Sequence, residues 1–263
     1  MESPAFLITV ALAAAVGAAM NAVAGGGTLI TFPALVALGV PPIQANATST
    51  VALWPGTMLS MWGYRRELVG ARRWATAFAV PSFAGGIVGA LLLLQTPEKR
   101  FAAIVPWLIL GATALFMAQR PLMRLLAERG GLTREISGAD GSLLPPTATF
   151  LLYQFGVSIY GGYFGAGAGI LMLAALGLMG LTNIHQMNGL KNWGGGVMNL
   201  VAVLIFSVSG VVNWPVAAAM AVGAGAGGFG GSLLAQRVGQ TWVRRAIVTI
   251  GLGAGLAMLF GLI

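Results

Sequence analysis

The sequence predicts an all-α polytopic membrane protein made of two inverted-topology repeats. Each repeat is expected to hold about five helical segments, or about eight to ten helices in total, with short broken helices behind Gly-rich clusters. Three observations predict this fold class: only 8% of the residues are charged while 57% are hydrophobic, the apolar residues form runs of membrane-spanning length, and the two halves of the chain resemble each other. Because a soluble domain carries about 25% charged residues, lipid is the expected surrounding of most of this chain.

Several apolar runs have the length of a membrane span, which needs about 20 helical residues. They are 4–24, 75–94, 101–118, 197–212 and 243–263. Helices are the expected form because backbone polar groups in lipid must be satisfied within the segment, and the runs lack the alternation of barrel strands. The first run is predicted to be a transmembrane helix rather than a leader, since no basic residue precedes its apolar core.

A polar stretch at 119–147 separates a first membrane repeat, 4–118, from a second, 148–263. The sequence "AGGIVGALL" at 84–92 matches "AGGFGGSLL" at 226–234, and similar matches recur at offsets of about 140–144 residues, which indicates an internal duplication. Each repeat is expected to contain a long helix, a short helix behind a glycine cluster and three further helices. The predicted segments are 4–24, 26–39, 43–62, 74–94 and 101–118 in the first repeat, and 148–163, 167–180, 185–208, 214–235 and 243–262 in the second.

Loop charges predict the orientation of the two repeats. The loop at 64–73 is strongly basic in the first repeat, whereas its counterpart at 207–214 carries no charge and the next loop, 236–245, carries three arginines. Because basic loops stay on the cytoplasmic side, equivalent loops are expected on opposite sides of the membrane. This arrangement is an inverted repeat with the linker 119–147 in the cytoplasm. The net charge of +8 is thereby explained without a nucleic-acid partner.

The composition argues against several kinds of chemistry. The chain has no cysteine and one histidine, and its six acidic residues all lie in loops or at a terminus. A zinc site needs about four ligands of these types, and the common catalytic and nucleotide-binding motifs are missing or, like "GAGAGG" at 223–228, lie within an apolar run where small residues serve helix packing. We therefore expect no cofactor, no metal and no enzymatic activity.

Two glycine clusters, "AGGGT" at 24–28 and "FGAGAG" at 164–169, lie at matching places in the repeats. Successive glycines interrupt a helix, and the N-terminus of the next helix carries partial positive charge that binds anions. Short, interrupted segments in corresponding positions indicate the binding site of a transporter, although pure helix packing is the alternative. The candidate substrate-binding residues of the clusters are Gly25, Gly26, Gly27, Thr28, Gly165 and Gly167.

Polar side chains follow each cluster, at the predicted start of the third helix of the repeat. Lys191 is the one residue among 14 Lys and Arg that does not lie in a polar loop. A lysine at membrane depth costs about 2.5–3.5 kcal/mol, so we interpret it as the counter-ion of a bound anion, with snorkelling from a loop as the alternative. The neighbouring candidates, some of which could simply cap helices, are Asn46, Thr48, Ser49, Thr50, Asn188 and Asn192, and His185 is a candidate for coupling to protons.

The segments "AGGGTLITFPALVALGVPPIQANATST" at 24–50 and "GAGAGILMLAALGLMGLTNIHQMNGLKN" at 165–192 resemble the sulfite exporter TauE/SafE family, also called the toluene sulfonate uptake permease family. The resemblance implies a secondary transporter that moves small sulfur-containing anions, such as sulfite, sulfoacetate or other organosulfonates, across the bacterial inner membrane. It implies the lipid bilayer and a small anion as partners, and it leaves a homo-oligomer open. An anion channel, or a carrier of another small organic anion, is the alternative, and an intramembrane enzyme is disfavoured because no carboxylate lies in an apolar segment.

Overall fold

The computed structural model describes residues 3–24, 26–63, 65, 66, 68, 71–128, 145–179, 181, 183–234 and 240–262. Within these residues the chain forms ten helices, and no strand is found there, which confirms the predicted all-α fold and the predicted number of helices. The helices of the first half are α1 (Pro4–Ala24), α2 (Thr28–Ala37), α3 (Pro42–Gly63), α4 (Arg72–Gln95) and α5 (Glu98–Glu128). Those of the second half are α6 (Ala148–Tyr163), α7 (Ala168–Leu178), α8 (Ile184–Ser209), α9 (Trp214–Leu234) and α10 (Gln240–Leu259).

Membrane-spanning length is reached by four stretches of the described helices. They are Pro4–Asn21, Arg72–Gln95, Glu98–Ala118 and Gln186–Ser209. By contrast, α2 has 10 residues and α7 has 11, so each is about 15 Å long at 1.5 Å per residue. Since the hydrocarbon core is about 30 Å thick, neither short helix can cross it alone.

The helices of the two halves are interleaved. The most extensive contacts join α1 to α9 and α4 to α6, and further contacts join α4 to α8, α3 to α9, α3 to α8 and α5 to α10. Each helix of one half has a counterpart in the other half, from α1 and α6 to α5 and α10. Replacing each helix by its counterpart turns the α1–α9 contact into the α6–α4 contact and the α4–α8 contact into the α9–α3 contact. The core therefore depends on helices from both halves rather than on two separate bundles.

Glycines allow the closest of these approaches. A Cβ atom on Gly89 of α4 would collide with the carbonyl oxygen of Ile159 in α6, and one on Gly227 of α9 would collide with that of Ala15 in α1. Gly223, one turn earlier in α9, meets a carbonyl of α1 in the same way. The prediction that "GAGAGG" at 223–228 serves helix packing is therefore confirmed for these two glycines.

The fifth helix is longer than predicted. It continues to Glu128, ten residues beyond the predicted end at 118. The added stretch, "QRPLMRLLAE", is polar enough to be interpreted as linker, but all its residues except Pro121, which lies inside the helix, are good helix formers. The first part of the predicted linker is thus helical, while residues 129–144 lie outside the described part of the chain.

Three connections between helices meet at one end of the bundle. The Ile43 amide at the start of α3 donates to Glu98 Oε1 in the first turn of α5 at 3.0 Å. The Asn213 amide, just before α9, donates to Thr48 Oγ1 in α3 at 3.1 Å. The α2–α3, α4–α5 and α8–α9 connections therefore lie close together.

Candidate functional site

Both glycine clusters turn the chain sharply at positions where the backbone requires glycine. Gly26 has φ of 99°, Gly165 has 86° and Gly167 has 81°, all in the left-handed region that residues with a Cβ rarely adopt. α7 begins directly after Gly167, and α2 begins directly after Gly27. The predicted interruption of the helices is thus present at both clusters.

The clusters also serve packing, which was the alternative interpretation of these glycines. A Cβ on Gly27 would lie 2.8 Å from the carbonyl oxygen of Gly17 in α1. Several amides predicted as anion donors are used within the turn, because Ile30 N bonds to Gly27 O at 3.1 Å and Ile170 N to Gly167 O at 2.9 Å. Fewer backbone donors remain for a ligand than the sequence suggested.

Lys191 lies in the second turn of α8, so it belongs to a helix and not to the loop of the snorkelling interpretation. Its side chain is partly buried and packs over the first turn of α7, since a Cβ on Gly169 would lie 3.3 Å from Lys191 Cδ. The second repeat contains no Asp or Glu at all. The stem of this lysine therefore lies beside the first turn of an interrupted helix, in a repeat whose sequence holds no acidic residue.

Ser49 occupies the matching place in the first repeat. Its hydroxyl oxygen lies 2.6 Å from Thr31 Oγ1, and both residues are buried. The third helix of each repeat thus contacts the first turn of the short helix before it. One repeat makes this contact with a neutral pair of hydroxyl groups, and the other makes it with a lysine.

Asn46 joins the first repeat to the second glycine cluster. Its Nδ2 donates to the carbonyl oxygen of Tyr163 at 3.0 Å, two residues before Gly165. Its Oδ1 is buried and has no hydrogen-bond partner among the described residues. Asn46 and Lys191 therefore reach opposite ends of one short segment, 163–169.

The remaining candidate binding residues fall into three groups: hydroxyl groups used by the fold, partly buried residues, and residues outside the described part of the chain. The hydroxyl of Thr48 accepts the Asn213 amide described above, and Thr50 Oγ1 donates to the carbonyl oxygen of Asn46 at 2.9 Å, so both hydroxyl groups support the fold. Thr28, Asn188 and Asn192 are partly buried in the first turns of their helices or close to them. Gly25 and the side chain of His185 lie outside the described residues.

One buried polar cluster was not predicted. Gln154 of α6 donates through Nε2 to Ser82 Oγ of α4 at 2.9 Å and to Ser158 Oγ at 3.1 Å, and all three residues are fully buried. At the offset of 140 residues that aligns the glycine clusters at 24 and 164, α1 holds Ala14 and Ala18 in place of the α6 pair. The signal was present in the sequence, because Gln154 and Ser158 are spaced by four residues within an apolar helix.

The fold and this site define a class. Membrane-spanning helices combined with paired short helices that begin at glycine clusters, one of which packs against a lysine of the next helix, are the features of polytopic transporters. The model of the family "Sulfite exporter TauE/SafE" matches residues 10–258. The chain belongs to the sulfite exporter TauE/SafE family, and it is a multi-pass membrane transporter of the bacterial inner membrane.

Similar proteins are known from several bacteria. A probable membrane transporter protein YfcA of Escherichia coli K12 is 29% identical over 95% of this chain and 88% of its own length. A probable membrane transporter protein ORF9 of Sinorhizobium is 28% identical over 94% of this chain and 90% of its own. A third, from Haemophilus influenzae, is 28% identical over 87% and 85%. No solved structure matches the chain at a significant level.

Proposed function

We propose that the protein is a secondary transporter of small sulfur-containing anions, namely sulfite, sulfoacetate or another organosulfonate. The anion would bind near the membrane midplane, between the repeats. The observation that carries this proposal is the position of Lys191 beside the first turn of α7 in a repeat without acidic residues. The family to which the chain belongs supports sulfur-containing anions as the substrate class.

The physical argument starts from the cost of the lysine. A charged group at membrane depth is retained when it has a functional partner, and here the sequence supplies no carboxylate nearby. An anion at this position would gain the lysine charge and the partial positive charge of the α7 N-terminus together. At the matching place in the first repeat, the hydroxyl groups of Thr31 and Ser49 are bonded to each other and Thr31 donates to the carbonyl oxygen of Gly27, so the charged partner of an anion is Lys191 alone.

Contacts at one end of the bundle support an inverted relation between repeats 4–118 and 148–263. The α8–α9 connection lies beside α3, close to the α4–α5 connection. If the two repeats had the same orientation, the α8–α9 connection would lie beside the equivalent connection of the first repeat, α3–α4, at the far end of α4. That end is about 36 Å away, because α4 has 24 residues. Inversion would let two equivalent gates open alternately on opposite sides of one site.

Cysteine labelling tests this topology, and the chain has no native cysteine. We expect Lys99→Cys and Val208→Cys to react with an impermeant maleimide from outside, and Arg66→Cys to react only after the membrane is opened. All three side chains are exposed, so a difference in labelling reports the side of the membrane. Labelling of Arg66→Cys and Val208→Cys from the same side would contradict the inverted repeat and the cytoplasmic linker.

Transport itself is tested in proteoliposomes containing the purified protein. We expect uptake of labelled sulfite or sulfoacetate that is accelerated when unlabelled anion is present on the opposite side. Such trans-stimulation identifies a carrier, whereas a channel would give high flux without it. Uptake of lactate but of no sulfur-containing anion would redirect the proposal to another organic anion.

A further inference from the structure

We infer that the site selects a monoanion that also carries a hydrogen-bond donor, and that Asn46 is the residue that accepts a hydrogen bond from this donor. The inference rests on the proposed function, because it describes the substrate class of the same site. The observation behind it is a buried acceptor atom, Asn46 Oδ1, which has no donor among the described residues. Asn46 is only 1% exposed, so bulk water does not satisfy this oxygen.

The orientation of the Asn46 amide is fixed by its neighbour. The carbonyl oxygen of Tyr163 can only accept a hydrogen bond, so the Asn46 atom 3.0 Å from it must be the nitrogen. The amide oxygen is therefore turned away from Tyr163. Flipping the amide would place two oxygens in contact and would not remove the unpaired acceptor.

A buried acceptor atom without a hydrogen bond indicates a place where a ligand supplies the donor. Leaving such a group without its hydrogen bond typically destabilises a folded protein, and native structures retain few of them. A ligand that brings an O–H or N–H group to this position would satisfy the oxygen. A ligand without such a group would bury the acceptor permanently and lose affinity by comparison.

The position of Asn46 relative to Lys191 connects the acceptor to the anion. Asn46 contacts the chain at Tyr163, and the stem of Lys191 lies over Gly169. Both side chains thus meet the segment 163–169, which is folded tightly through the bond from Gly165 N to Tyr160 O. In the proposed site, the sulfur oxygens of the anion bind beside the lysine and its donor group binds the amide oxygen of Asn46.

The charge available at the site matches a monoanion. Between Arg134 and Arg237 the sequence holds no Lys or Arg other than Lys191. One cation neutralises one negative charge, and a second charge would remain uncompensated in a medium where that is expensive. Among the anions proposed above, hydrogen sulfite and hydroxylated sulfonates have both properties, whereas sulfoacetate, like sulfate and doubly deprotonated sulfite, lacks the donor and carries a second charge.

A matched pair of anions tests this inference in the full-length protein. Ethanesulfonate and 2-hydroxyethanesulfonate have the same charge and nearly the same size, and only the second has a hydroxyl donor. We expect calorimetric titration of the purified protein to give an affinity at least about tenfold higher for the hydroxylated anion, the effect of one hydrogen bond to a buried group. In Asn46→Leu, which keeps a similar shape but removes the acceptor, this preference should disappear.

The controls separate this inference from the proposed function. Asn199→Ala, on a membrane helix but outside the proposed site, should keep the preference. Equal affinities of the wild-type protein for the two anions, both lost in Lys191→Ala, would overturn the inference and leave the proposed function standing. A preference that survives in Asn46→Leu would also overturn it. If neither anion binds, or if Lys191→Ala binds both normally, the proposed function and the inference fall together.

Discussion

Lys191→Ala is expected to abolish anion uptake while leaving a folded and inserted protein. The substitution removes the charged side chain whose stem packs over the first turn of α7. Hydrogen bonds to charged groups are about twice as strong as neutral ones and contribute about 1.5–3 kcal/mol. We therefore expect affinity for the anion to fall by about ten- to a hundredfold, measured as uptake per folded protein in proteoliposomes.

Folding should not suffer, because an alanine avoids the cost of about 2.5–3.5 kcal/mol of placing lysine in the bilayer. Lys191→Arg should retain part of the binding, since the charge remains while the compact ammonium is replaced by a planar group. Lys99→Ala, at the exposed start of α5, is the matched control and should transport normally. Normal uptake by Lys191→Ala, together with labelling of Lys191→Cys that substrate does not slow, would remove this lysine from the mechanism.

Gly167→Val is expected to cause the second large loss of transport. Gly167 has φ of 81°, a conformation that costs a β-branched residue about 1–3 kcal/mol. A Cβ there would also lie 3.3 Å from the Cβ of Ala112 in α5. The valine would therefore displace the start of α7, against which Lys191 packs.

Gly253→Val is the control, because nothing lies within 4 Å of a Cβ at that position in α10. Gly26→Val, where φ is 99°, should resemble Gly167→Val. Both the melting temperature and the uptake per folded protein should be compared with the wild type. Wild-type uptake by folded Gly167→Val, or an equal loss in Gly253→Val, would show that the clusters have no special place in transport.

The helices could be predicted from the sequence because their limits are marked chemically. Apolar runs, glycine clusters and polar loops place most helix ends within about three residues of those observed, as at Ala148–Tyr163, which was predicted as 148–163. The contact between α1 and α9 was not predicted, because helices that are apolar on all sides give no indication of which face meets which neighbour. The extension of α5 was missed for a different reason, since its two arginines and Pro121 resemble a linker although most of its residues form helices well.

The site could be predicted only in part. The glycine clusters and Lys191 can be identified from the sequence because each differs from its surroundings. The clusters are successive glycines, and Lys191 is a charge among apolar residues. The bond from Asn46 to Tyr163 joins residues 117 positions apart, and that from Gln154 to Ser82 joins residues 72 apart. No local pattern reports such contacts, which depend on how the helices rotate against one another.

The pairing of α1 with α9 has a consequence for biosynthesis. The face of α1 that meets Gly223 and Gly227 through the backbone of Ala11 and Ala15 emerges from the ribosome before α2 to α8, whereas its partner α9 emerges after all of them. Until α9 has been made, this face of α1 must contact lipid or other helices that α9 later displaces. The first repeat therefore cannot mature on its own, and a truncated chain ending in the linker would present the insertion machinery with an orphan helix, a substrate for membrane quality control.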